Sequence, residues 1–290
     1  MFVPMSNSKR AKEMARWTYG LSYFCASAFL AKKSRFLKVT PGIFSTQLIY
    51  DRARQSFFKV KSRDAVDVAV VRQIFVDEDY AVASQDHAEA LRQYYDHIMD
   101  SGQRPLIIDC GGNSGLATKY FSETYPGSAI VCIEPEERNM QMAMLNNQDP
   151  QIRFMLAGIG HSDARADIVD PGEGNWGYRT ETSPAGKTKI ISVNSILNDP
   201  EYKDCTPFII KIDIEGFEQN LFEKNTEWLD AFPLLIIELH DWMLPRQATS
   251  NNFLRAVAEK NRDFIYRNEN VFSISNTFAQ ASGSTPETRQ

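Results

Sequence analysis

The chain has 290 residues, of which 43% are hydrophobic, enough for one good-sized core with length left over for extensions. Its four cysteines, Cys25, Cys110, Cys132 and Cys205, are widely spaced and form no C-x-x-C pair, which argues against a disulfide framework and a cysteine zinc site and suits a reducing compartment. The net charge of -5 hides an asymmetry, because residues 1–62 hold twelve Lys or Arg against two acids, +10, so the remainder sums to -15 and offers no basic groove for nucleic acid.

In residues 1–62, the basic N-terminal extension, Met14, Trp17, Leu21, Phe24 and Ala28 recur at spacings of three and four, the pattern of an amphipathic helix flanked by basic residues. Such a helix can lie on an anionic membrane through residues 9–38, hold an acidic partner, or pack on its own acidic domain. The apolar stretch 17–31 is about half a bilayer span, and its weak apolar core also argues against a signal peptide. The expected location is cytoplasmic, with peripheral membrane contact as the variant. Residues 63–104 read as a leading region. From Ser56 to Val82 the pattern suggests short strands, "FFKVKS", "DVAVVRQIF" and "DEDYAV", with Tyr80 the residue there to suspect of touching a ligand. Ser84 to Asp100 reads as a helix with Ala88, Leu91, Tyr95 and Ile98 on one face.

The main domain, 105–278, opens with PLIIDCGGNSGL. Leu106 to Ile108 form a short buried strand, and Gly111, Gly112 and Gly115 let the backbone turn and approach a ligand closely. Asn113 and Ser114 are the expected N-caps of a helix from about Gly115 to Tyr125. A second buried strand, Ala129 to Ile133, ends at Glu134, whose carboxylate can accept two hydrogen bonds from a ribose diol. Cys110 stands where a dinucleotide fingerprint wants its first glycine, and Asp109 would repel a pyrophosphate but attract an ammonium. Both favour S-adenosylmethionine over a nicotinamide dinucleotide.

Further on, Glu136 to Asn147 reads as a helix and Ile152 to Leu156 as a strand, and Ala157 to Gly160 as a turn past the adenine, with Ala157 and Gly158 its expected contacts. Residues 170–187 form a long Gly- and Pro-rich insertion in which Trp176 and Tyr178 could stack on an acceptor ring. Phe208 to Ile212 and Leu234 to Leu239 are strands whose ends carry Asp213, Glu215 and Glu218, and Glu238 and His240. Residues 279–290 have no apolar periodicity and read as a disordered tail.

Four separated motifs in this order, D-x-G-x-N-x-G at 109–115, "IEPEERN" at 133–139, "IIKIDIEGFE" at 209–218 and "LLIIELH" at 234–240, resemble the FkbM-type methyltransferases over about residues 63–275. The resemblance implies an α/β, Rossmann-like class I methyltransferase fold with a mostly parallel central sheet and helices on both faces. It further implies an S-adenosylmethionine-dependent enzyme methylating a hydroxyl of a saccharide or other small molecule, and a leading region that forms an edge or lid near the cofactor. The expected cofactor residues are Asp109, Gly111, Gly112, Asn113, Gly115, Glu134, Ala157 and Gly158, and the expected catalytic residues His240, Asp213, Glu215 and Glu238.

A hydroxyl must lose its proton near the transition state, and His240 is the first choice of base because imidazole titrates near neutrality. Asp213, Glu215, Glu238 and His240 could instead hold magnesium, calcium or manganese, a use the sequence favours less than a metal-free base. Asp213 could bind the cofactor amine, and Glu215 could cap the following helix. Competing readings are a nicotinamide-dependent oxidoreductase and a non-catalytic protein that uses the fold and its basic N-terminus to bind a membrane or partner.

Overall fold

A computed structural model describes residues 34–41, 44–169, 179–182 and 185–278. The amphipathic helix expected around Met14 to Ala28, Trp176 and Tyr178, and the tail from residue 279 lie outside the described residues. The chain divides into two compact units, Met1–Asp79 and Tyr80–Gln290.

In the first unit, β1 (Phe36–Lys38), β2 (Thr46–Asp51) and β3 (Ser56–Lys61) form an antiparallel sheet in that order. The segment expected as a second strand is instead helix α1 (Ala65–Phe75). Asp64 caps it, its carboxylate accepting from the amides of Val66 and Asp67, and this local cap outweighs the β-branched run. Phe75 packs edge-on against Phe36, with ring centroids 5.5 Å apart, and Phe58 lies 5.3 Å from Phe75. Asp51 is buried, and the cost of burying its charge is offset by Arg35, which pairs with it at 2.7 Å, and by the amide of Ala53, which donates to it. The stretch "DEDYAV" forms no strand.

The second unit begins with Tyr80 and α2 (Gln85–Asp100). Its sheet has seven strands in the order β13-β14-β12-β11-β4-β5-β6. The elements are β4 (Arg104–Cys110), α3 (Leu116–Thr124), β5 (Ala129–Glu134), α4 (Glu137–Asn146), β6 (Ile152–Leu156), β11 (Cys205–Ile212), α6 (Glu218–Leu221), β12 (Leu234–Glu238), α7 (Asn251–Ala258), β13 (Arg262–Arg267) and β14 (Asn270–Ser275). Strands β12, β11, β4, β5 and β6 are parallel neighbours, and β14 joins β12 antiparallel. Ile107, Ile108, Ile209, Ile210, Leu235, Ile236 and Ile237 are all buried. Such runs, apolar on both faces, belong to strands covered on both sides, and each fully buried side chain contributes roughly 1.5–3 kcal/mol. The chain leaves β4 for β5 and β6 on one side and returns to β11 on the other. The switch point therefore lies between the carboxyl ends of β4 and β11, where ligands of open α/β sheets bind. This is the Rossmann-like α/β architecture expected from the sequence.

A second, four-stranded sheet has the order β7-β10-β8-β9. It contains β7 (Gly158–Gly160), β8 (Ala164–Val169), β9 (Arg179–Thr182) and β10 (Thr188–Ser192), the last followed by α5 (Val193–Leu197). The expected turn at 157–160 thus becomes a short strand, because Gly158 to Gly160 pair in parallel with Ile190 to Ser192. Likewise β9 lies within the stretch expected as an irregular insertion and pairs antiparallel with β8.

Candidate active site

The site forms where β4, β5, β11 and the segment after β6 end together. An open cleft is lined by Gly111, Asn113, Glu134, Asn139, Ala157, Gly158, Asp213, Glu215 and neighbouring apolar residues. On the loop side the backbone makes the shape. Gly111 has φ +80°, and a Cβ there would sit 1.7 Å from the carbonyl oxygen of Asp213, so only glycine lets the two strand ends approach this closely. Asn113 also takes a left-handed conformation, φ 46°.

Glu134 faces this loop from the end of β5, buried and held in place. Its Oε2 accepts from the Asn113 amide at 2.8 Å, and its Oε1 accepts from the Glu136 amide at 2.9 Å and from Asn139 Nδ2 at 3.3 Å. Burial raises the carboxyl above its ordinary range, and these hydrogen bonds oppose the rise. Asn139, which the sequence did not single out, lines the cleft and also fastens the Glu136 side chain, which accepts from its amide.

Three of the expected cofactor residues lie beneath the cleft instead of on its wall. Asp109 is fully buried, and Thr118 Oγ1 donates to its Oδ2 at 2.6 Å while Lys211 Nζ stands 3.2 Å from its Oδ1. The ammonium that Asp109 attracts is therefore the protein's own. Gly112 makes room for the Cys132 sulfur, which a Cβ would approach to 2.4 Å, and Gly115 makes room for Ala143 and Asn147. Gly115, with φ 73°, also occupies the N-cap position of α3, where Asn113 or Ser114 was expected. Cys110 and Cys132 are buried, as expected, and burial pushes both thiols up.

Lys211 is the site residue that sequence reasoning passed over. It is a cation inside the apolar run of β11, and that break in the pattern was its only signal. Its Nζ donates to the Gly111 carbonyl at 2.7 Å and also pairs with Asp213 Oδ2 at 3.3 Å. Burial alone would lower its pKa, but the carboxylates of Asp109 and Asp213 prevail and hold the ammonium well above its usual value. Tyr80, suspected of ligand contact, packs against Tyr120 and Phe121 with centroids 5.8 and 5.5 Å away.

On the opposite side the expected catalytic residues do converge. His240 is 2% exposed, and its Nδ1 donates to Glu218 Oε1 at 2.9 Å. Its Nε2 stands 3.6 Å from Asp213 Oδ1, 3.5 Å from Glu215 Oε2 and 3.6 Å from Glu238 Oε1. Burial works against the imidazolium, yet the Glu218 hydrogen bond and the surrounding carboxylates raise the pKa to about 9. With Nδ1 engaged by Glu218 and the ring protonated, His240 must first lose a proton before it can act as the expected base. Burial and mutual repulsion, chiefly with Asp213, raise both Glu215 and Glu238. Glu215 also holds a left-handed backbone, φ 56°, uncommon for a residue with a Cβ and a form of strain that collects at functional sites. It does not cap α6; Glu218 reaches back instead, accepting from the Ile214 amide at 3.2 Å.

His161, the other histidine near the cleft in sequence, points to Glu223 at 3.6 Å, and His87 pairs with Asp263 at 2.8 Å. Among the described residues no helix is long and apolar enough to cross a membrane.

The chain is 23% identical over 214 residues to "Methyltransferase 1" of Beauveria bassiana (strain ARSEF 2860), covering 60% of this chain and 84% of that protein. Among solved structures, monomeric WbdD is similar at 12% identity, over 67% of this chain and 42% of that one, with a TM-score of 0.38. TrmK of M. capricolum, in complex with S-adenosylhomocysteine, is similar at 14% identity over 63% of this chain and 65% of that one, with a TM-score of 0.31. The chain thus spans less than half of the WbdD chain, and at these scores the fold rests on the strand order above and not on the structural likeness. The Methyltransferase FkbM domain matches residues 109–266, over half of the chain and the whole stretch from Asp109 to His240. The chain belongs to the FkbM methyltransferase family.

Proposed function

We propose that the chain transfers a methyl group from S-adenosylmethionine to a hydroxyl of a saccharide or similar small polyol, and that Glu215 accepts the proton. The observation that carries this reading is the pairing, across one cleft, of a fixed diol acceptor, Glu134, with carboxylates at Asp213 and Glu215. The cleft fits the donor. Gly111 leaves its part of the cleft wall to backbone, Glu134 lines the cleft beside it, and Ala157 and Gly158 keep side-chain bulk small where an adenine edge would lie. A phosphate-bearing cofactor or a nucleic acid would meet the acidic cluster unfavourably.

When bound, the donor supplies a methyl group that passes to the acceptor oxygen as its C–S bond breaks and sulfur keeps the electron pair. The acceptor's proton must then go to the protein. Glu215 is placed for this, since it lines the cleft while His240 is buried behind it and engaged by Glu218; the raised Glu215 pKa of about 8 makes the ionised carboxylate a stronger base, so transfer is expected to rise with pH through that value. The carboxylates also accept hydrogen bonds from neighbouring hydroxyls of a polyol and so hold one oxygen in line, a positional effect worth up to roughly 7–11 kcal/mol. A cytoplasmic location and contact with a membrane through residues 9–38 belong to the same proposal.

Isothermal titration with S-adenosylmethionine and, separately, with NAD tests the donor. Saturable binding of S-adenosylmethionine alone, weakened in Glu134→Ala, is expected; NAD binding instead would overturn the reading. Transfer of a radiolabelled methyl group to a panel of saccharides and other polyols, set against amines and thiols, then tests the acceptor. Labelling confined to amines or thiols would sink the hydroxyl assignment.

A further inference from the structure

The charges in the acidic cluster do not close. Asp109 has Lys211 and Thr118, but Asp213, Glu215 and Glu238 all turn toward one imidazole nitrogen, His240 Nε2, at 3.5–3.6 Å. These separations exceed a normal hydrogen bond. Nδ1 is committed to Glu218, so Nε2 is the ring nitrogen left facing the three carboxylates. In the metal-free chain a proton on Nε2 meets these oxygens, and a divalent cation that displaces it would be held by the same nitrogen and carboxylates. Asp213, Glu238 and His240 place one donor atom each within 4.8 Å of one another. Donors about 2.1 Å from a shared octahedral ion lie roughly 3 Å apart when adjacent and about 4.2 Å apart when opposite, so binding draws the three side chains together.

We propose that Asp213 Oδ1, Glu238 Oε1 and His240 Nε2 form a binding site for a divalent cation of the manganese or magnesium type, with Glu218 as the positioning residue. Carboxylates with a single imidazole suit a hard to borderline ion, and the missing thiolate disfavours soft metals. The Glu218–His240 contact is the carboxylate–histidine arrangement that fixes the ring of a metal-bound histidine and presents the other nitrogen to the ion. Asp213 belongs both to this set and to the lining of the cleft, so the ion would sit at its wall, where open coordination positions could take an acceptor hydroxyl or a diol. That last role rests on the methyl-transfer reading; the site itself does not.

The test uses the full chain freed of metal by chelation and titrated with Mn²⁺ alone, followed by electron paramagnetic resonance and calorimetry. One saturable site per chain is expected, with Glu238→Gln and Asp213→Asn lowering affinity at least tenfold and Glu218→Gln by about 10- to 100-fold. Circular dichroism checks that each variant is folded. Failure of wild-type protein to bind Mn²⁺ saturably, or binding unchanged in folded Glu238→Gln, would overturn the site. Titration with S-adenosylmethionine in EDTA separates the two ideas: donor binding without Mn²⁺ binding removes only the metal site, and Mn²⁺ binding without donor binding removes only the methyl-transfer reading.

Discussion

The two walls of the cleft solve opposite problems. On the loop wall and beneath it the charges have partners: Asp109 is matched by Lys211 and Thr118, and Glu134 is tied down by two backbone amides. On the far wall four carboxylates surround one histidine, and Glu215, Glu238 and His240 are all displaced from their ordinary ionisation. A matched wall holds its shape by itself and can receive a ligand without rearranging. A wall with surplus negative charge is unstable by itself and becomes favourable when something positive, or something that donates hydrogen bonds, arrives. The contrast matches the division that the proposed reaction needs, between holding the donor and performing the chemistry.

The strongest way to break the comparison is to remove the partner that the matched wall depends on. Lys211→Met leaves Asp109 buried and uncompensated, so urea denaturation should show a loss of about 3–5 kcal/mol in stability. A loss below roughly 1 kcal/mol would mean that the ion pair does not organise the loop. On the surplus wall, Glu215→Gln keeps the shape and removes the proposed proton acceptor. The expected result is a fall in kcat of about 10²- to 10⁴-fold with the donor's Kd little changed, read from steady-state kinetics beside calorimetry. An unchanged kcat would assign the proton elsewhere.

Glu134→Ala removes the diol acceptor from the matched wall. Losing a charge-assisted pair of hydrogen bonds worth about 1.5–3 kcal/mol should weaken donor binding roughly 10- to 150-fold in calorimetry while leaving Mn²⁺ affinity alone. The smallest effect sharpens the picture of the floor under the loop. Cys110 and Cys132 are buried with raised thiol pKa values, so both should stay unmodified by iodoacetamide at pH 8 in the native protein, as mapped by mass spectrometry. Fast labelling of Cys132 would show that the packing between Gly112 and β5 opens in solution.

Periodicity and punctuation made much of this molecule legible before any coordinates. The buried runs at 106–108, 129–133, 208–212 and 234–238 are strands, the break at Gly111 is the switch-point turn, and Glu134 ends its strand where expected. The first unit was read less well. A strand pattern of alternating valines at 65–75 became a helix because the Asp64 cap and the packing of Phe75 on Phe36 and Phe58 decided it. Glycines were recognised as special positions, but their reasons differ. Gly111 serves the cleft, whereas Gly112 and Gly115 serve packing against Cys132 and Ala143, a distinction that needs neighbours distant in sequence.

The sequence by itself determined the order of elements, the glycine loop and the identity of the residues at the strand ends, because backbone preference and burial pattern are set within a few residues. Only the tertiary structure decided what those strand-end groups do. Asp109 and Asp213 both end parallel strands of the same sheet, yet one is sealed against Lys211 and the other opens on the cleft. His240 is held protonated by carboxylates from β12 and from the turn after β11, up to 27 residues away. Ionisation depends on distance and burial across the fold, so the same histidine that reads as a base in the sequence is, in the folded chain, engaged by Glu218 and ringed by three further carboxylates.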